Sequence, residues 1–109
     1  MNGGKRRDST EISYDILKAA QGGQRKTRIM YQSRLNLHQL NERMDELISC
    51  ELLSYQPSGR YFSTTEKGRE FSRMFESFRE TTYLLTEQKK RLSGFLIPRA
   101  TKPVAVPAS

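Results

Sequence analysis

From residue 9 onward the apolar positions follow one period, then another, then return to the first. In "STEISYDILKAAQ", Ile12, Ile16, Leu17 and Ala20 recur at helical spacing. Asp8 followed by Glu11 has the spacing of a capping box. Gly22-Gly23 is expected to end this helix, because glycine best tolerates a left-handed cap. A short second helix is predicted from about Arg25 to Ser33. Asn36 can cap a third, "LHQLNERMDELIS", whose Leu37, Leu40, Met44, Leu47 and Ile48 share one face at offsets 0, 3, 7, 10 and 11. The period then shortens: "LLSYQ" and "YFSTT" flank the turn cluster "PSGR", which predicts a β-hairpin.

The helical period returns after Thr64 or Thr65, either of which can cap a long final helix over about 66–93. Gly68, in its first turns, costs about 1 kcal/mol against alanine and points to a close packing contact. Phe71, Phe75, Phe78, Thr82, Leu85, Lys89 and Leu92 are spaced 4, 3, 4, 3, 4, 3, a heptad seam with two polar interruptions. Gly94 and Pro98 are expected to stop it. The chain is therefore read as a disordered basic arm (1–8), a head (9–65), a long dimerisation helix (66–93) and a disordered proline-rich tail (94–109). The fold class is mainly α with a small β-hairpin. Three helices and a hairpin, in that order, form a winged helix-turn-helix, here extended by the long helix.

Length and charge sharpen this picture. A chain of 109 residues is the size of one domain. The net charge of +7, from 19 Lys and Arg against 12 Asp and Glu, favours a polyanionic partner, nucleic acid ahead of an anionic membrane surface. Cys50 is the only cysteine, so no intramolecular disulfide can form. No signal peptide and no membrane-spanning stretch is read from the sequence, and a soluble intracellular protein is expected. His38 is the only histidine and, like Cys50, lacks metal-ligand company, so neither metal nor cofactor is expected. No catalytic constellation is present, and no enzymatic activity is expected.

The charge is concentrated in "GGQRKTRIMYQSRL", where Arg25, Lys26, Arg28 and Arg34 surround Ile29-Met30-Tyr31 with no acid among them. In a winged helix the third helix enters the major groove, the second crosses the backbone and the wing touches the flanking duplex. The second helix then packs Ile29 and Met30 inward and turns Arg25, Lys26 and Arg28 toward phosphates, releasing condensed counterions. On the third helix His38, Gln39, Glu42 and Arg43 project outward, so that Gln39 could pair with adenine, Arg43 with guanine, and Glu42 with cytosine N4. Yet residues 35–56 hold one cation against four acids, and a solvent face whose acids limit nonspecific sticking is the competing interpretation. Ser58 and Arg60, at the wing turn, are placed to reach a minor groove or a phosphate. Lys5, Arg6 and Arg7 form a basic arm or simply keep the terminus soluble. Lys89, Lys90, Arg91, Arg99 and Lys102 either touch DNA or a partner, or form a solvated tail. Tyr14, Tyr31, Tyr55 and Tyr61 are read as core or wing packing rather than base-stacking platforms.

"KTRIMY" on the second helix, "LISCELLSY" and "GRYFSTTEKGREF" through the wing, and the heptad helix resemble a family of small archaeal winged-helix proteins. That family includes the basic Sulfolobus DNA-binding proteins of the ten-a type, associated with chromatin, and predicted transcriptional regulators. The resemblance covers roughly residues 9–92. It implies a dimer made by an antiparallel coiled coil of the last helices, with two outward winged heads. The chain departs from the pattern in its proline-rich tail and at Thr82 and Lys89. The function expected is that of a homodimeric winged-helix protein binding double-stranded DNA, as a transcriptional regulator or a chromatin-organising protein of the nucleoid. A winged-helix adaptor for protein partners, or a module binding RNA, is the alternative.

Overall fold

Asp8 starts the first helix: its carboxylate accepts the Glu11 backbone N–H at 2.9 Å. The computed structural model describes residues 7–98. Its elements are α1 (Ser9–Ala19), α2 (Lys26–Ser33), α3 (Leu37–Ser49), β1 (Leu53–Gln56), β2 (Tyr61–Thr64) and α4 (Glu66–Phe95), in the order the periodicity predicts. α3 opens with a full capping box, in which Asn36 accepts from the Gln39 N–H and Gln39 accepts from the Asn36 N–H. Thr65 caps α4, its Oγ1 accepting from the Gly68 N–H at 3.0 Å. β1 and β2 pair antiparallel, with Leu53 opposite Thr64 and Gln56 opposite Tyr61.

The chain divides into two compact units, Met1–Glu76 and Ser77–Ser109. In the first, Ile16, Leu17 and Ala20 of α1 and its cap meet Ile29, Leu35, Leu40, Met44, Leu47 and Leu53 in one buried cluster. Full burial of a Leu or Ile contributes about 1.5–3 kcal/mol, so this cluster carries most of the head's stability. The Thr64 hydroxyl donates to the Leu17 carbonyl at 2.6 Å and ties the wing to α1. A Cβ on Gly68 would overlap the Leu52 carbonyl oxygen and lie 2.6 Å from Thr64 Cγ2, so α4 approaches the wing as closely as only glycine allows. The Tyr14 hydroxyl donates to the Glu76 carboxylate at 2.5 Å, and Lys18 Nζ donates to the same oxygen at 3.3 Å. Burial first, and that hydrogen bond second, push the Tyr14 phenol above its ordinary pKa.

Several expectations need correction. α1 is already capped by Ala20 in an ordinary right-handed conformation, and Gly22 (φ 82°) and Gly23 (φ 95°) instead shape the turn that follows. Arg7 belongs to the folded head: its guanidinium donates to Asp15 at 2.7 Å and to the carbonyls of Ser33 at 2.8 Å and Arg34 at 3.1 Å. These last two bonds satisfy carbonyls at the end of α2. Lys5, Arg6, Arg99 and Lys102 lie outside the described residues. Phe71 packs against the head core and Phe75 is 9% exposed, its ring 4.7 Å from Tyr14. Both residues are engaged with the head, because the first turns of α4 cover the head's own core. Gly94 does not stop α4, which runs on to Phe95. A single glycine costs a helix only about 1 kcal/mol against alanine.

In the second unit Thr82, Leu85, Lys89 and Leu92 of the predicted seam are all exposed, as is Phe78. None of the helices among the described residues is long and apolar enough to cross a membrane.

Candidate nucleic-acid interface

The geometry of the interface begins with a β-bridge. Gln24 exchanges two backbone hydrogen bonds with Phe62, each 2.8 Å, so the segment before α2 lies alongside the wing strand β2. The next residue, Arg25, is the N-cap of α2 and makes no side-chain capping bond. The bridge thus sets the positively polarised end of α2 beside the wing.

Between them is an open cleft of about 610 Å³, lined by Gly23, Gln24, Arg25, Arg28, Gly59 and Tyr61, with no acidic residue in its lining. Tyr61 is 39% exposed in that cleft. A Cβ on Gly23 would meet one edge of its ring at 3.2 Å, and a Cβ on Gly59 would meet the other at 2.8 Å. The two glycines therefore let the backbone grip the ring from both edges and hold its position. The wing turn is 57–60, closed by the Arg60 N–H donating to the Pro57 carbonyl at 3.2 Å. Arg60 has φ 55°, a left-handed conformation unusual for a side chain with a Cβ. Ser58 and Arg60 are both exposed at this tip.

The other cations of the motif are placed differently. Lys26 is half-buried, and its ammonium donates to Asn41 Oδ1 of α3 at 2.5 Å, which leaves two of its three N–H donors. Arg34 is the left-handed cap of α2 (φ 57°) and its side chain is exposed. Ile29 is buried as expected, whereas Met30 is half-buried and Tyr31 is 80% exposed, so Tyr31 is not a packing residue.

On α3 the outward set is partly committed to the protein itself. Gln39 Oε1 accepts from the Asn36 N–H at 3.2 Å. A bidentate contact with adenine needs that oxygen, so it would require opening the capping box. Arg43 Nη1 donates to Ser9 Oγ at 2.9 Å and to Glu46 at 3.0 Å, turning the guanidinium toward the start of α1. Both bonds use Nη1, so a contact with guanine would draw on the Nη2 and Nε donors. His38 and Glu42 remain outward and face each other at 3.6 Å. Leu37, expected in the core, is 54% exposed, and Ile48 stands at the core margin. Among the described residues no group of His, Cys, Asp and Glu is arranged to hold a metal ion.

Two features of this site escaped sequence reasoning. One is the Gln24–Phe62 bridge, a single pair with no periodicity of its own. The other is Tyr61 as a cleft residue. Its signal was the pair of glycines, Gly23 and Gly59, which only a known pairing of α2 and wing makes meaningful.

A family model described as winged helix-turn-helix matches residues 6–87. The chain belongs to the winged helix-turn-helix family. This winged helix is also similar to the crystal structure of Sso10a-2, a DNA-binding protein from Sulfolobus solfataricus. The two share 25% sequence identity at a TM-score of 0.75, over 85% of this chain and 100% of that one. No curated protein sequence matches the chain. For a winged helix, α2, α3 and the wing are the elements that face a duplex, and the acid-free cleft lies between two of them.

Proposed function

We propose that this winged helix binds double-stranded DNA chiefly through its phosphates, gripping the backbone between the N-terminus of α2 and the wing. The observation that carries this is the cleft: Arg25 and Arg28, the open end of α2 and Tyr61 line a concavity without an acid. Oriented N–H groups at a helix start favour anions, and arginine matches phosphate geometry in a bidentate way. Arg60 and Ser58 extend the same contact at the wing tip, and Arg34 adds charge at the end of α2. His38 and Glu42 approach the groove edge on α3. The Sulfolobus relative's description as a DNA-binding protein supports the reading.

Gln39 shares its side-chain oxygen with the capping box and Arg43 is bonded through Nη1 to Ser9 and Glu46, so few side chains of α3 are wholly free to read bases. This favours a chromatin-organising role of low sequence selectivity over a regulator of chosen sites. The protein acts as a homodimer, paired through the exposed α4 positions Phe78, Thr82, Leu85, Lys89 and Leu92. Apolar positions at heptad spacing gain by pairing, and polar residues on such a seam fix register. The resemblance to the archaeal family implies that the pairing is antiparallel.

Titrating the full chain into a random-sequence duplex over a salt series tests this reading, with molecular mass measured in parallel by light scattering. A binding constant that falls steeply with salt, a ratio of selected-site to random affinity below about 10³ and a dimer mass are expected. Binding independent of salt, or none, would reject the phosphate model. A much larger ratio would make the protein a site-specific regulator.

A further inference from the structure

Leu37 stands at the first position of α3 with 54% of its surface exposed, while Leu40, Met44 and Leu47 of the same apolar pattern are buried. The half of its surface left in water contributes nothing to the fold. It lies in the stretch from Ile16 to Asn41, which contains no acid and five cations, among them Arg28 and Arg34. Tyr31, near the end of α2, is also exposed. An apolar group within such a basic stretch suits a polyanion that itself presents an apolar group.

The duplex major groove offers one, the C5-methyl of thymine. In a helix-turn-helix the residues at the leading end of the second helix of the motif contact base edges. Here that end carries Leu37 and His38. Gln39, next along, is taken by the capping box, and Arg43 is bonded to Ser9 and Glu46.

We propose that Leu37 is a specificity-determining residue, its side chain seated on a thymine methyl in the major groove, so that the winged helix prefers A·T pairs there. The proposal rests on the reading of the chain as a duplex binder. The preference is small: burying one methyl is worth about fourfold in affinity. That size is compatible with a protein that covers DNA broadly yet settles on A·T-rich segments.

The test compares binding of the full chain to an alternating d(A-T) duplex and to an alternating d(A-U) duplex of equal length. Every docking register then presents either thymine or its methyl-free analogue. The wild-type protein is expected to bind the thymine duplex about fourfold more tightly. Leu37→Ala should bind both equally, with the salt dependence of the wild type, and Leu37→Met should restore the preference. Equal wild-type affinity for the two duplexes, with both still weakened by Arg25→Ala, overturns this inference and leaves the duplex reading standing. A preference that survives in Leu37→Ala overturns it as well, since another residue would then sense the methyl. Binding to neither duplex overturns both readings.

Discussion

Arg60 holds a backbone conformation that glycine would hold more easily. With φ at 55°, its side chain costs about 1 kcal/mol relative to a glycine in the same place. Strain of this kind persists where the side chain serves something other than the fold. Arg60→Gly is therefore expected to leave the thermal midpoint unchanged or slightly higher while weakening duplex binding, measured by calorimetry and by anisotropy. A lower midpoint with unaltered binding would mean that Arg60 serves only the turn. Residues were the least legible scale of the sequence. Arg25 and Arg28 stood out because four cations without an acid are conspicuous in a linear string. The bonds that Gln39 and Arg43 make to Asn36 and Ser9 are not legible in the sequence, because cap geometry and the packing of α1 on α3 set them. Leu37 was misplaced because periodicity reports the angle around a helix and not where the packed surface ends.

Elements were the most legible scale. All six form in the predicted order, since each has its own period and a cap or turn of suitable chemistry. Phe71 and Phe75 were read with the heptads because 4 and 3 spacing continues smoothly from the head-packed part of α4 into its remainder. What separates the two parts is contact with Tyr14 and the core, and spacing does not record that. Gly68 was recognisable as a packing glycine, and its neighbours now give that reading a size. Gly68→Ala gains roughly 1 kcal/mol of helix propensity but drives a methyl into the Leu52 carbonyl and the Thr64 side chain. Overpacking of this sort costs about 1–3 kcal/mol, and displacement of the backbone carbonyl puts the cost at the upper end. A net loss of stability is expected in urea unfolding. An increase would show that the wing moves away from α4 without penalty.

For the molecule as a whole, charge and length point the same way. A 30-residue α4 is about 45 Å long, and Leu85 and Leu92 are exposed in the unit after Glu76. Truncation after Phe78 keeps all of the first unit, including the Tyr14–Glu76 bond, and removes most of the proposed seam. The truncated chain is expected to be a monomer by sedimentation, and to bind long duplexes at least about 10²-fold more weakly because the linked second head is lost. Unchanged affinity would show that each head acts alone. The net charge of +7 was legible at once as the mark of a polyanion partner. The placing of Arg25 and Arg28 in one cleft was not, because that depends on the Gln24–Phe62 bridge drawing the start of α2 to the wing. The most direct test of the phosphate grip is the slope of log binding constant against log salt concentration, for the wild type and for Arg25→Ala combined with Arg28→Ala. If each arginine neutralises one phosphate, the slope falls in magnitude by about 1.8 for every duplex sequence alike. A slope that does not change would take the cleft out of the interface and contradict the account.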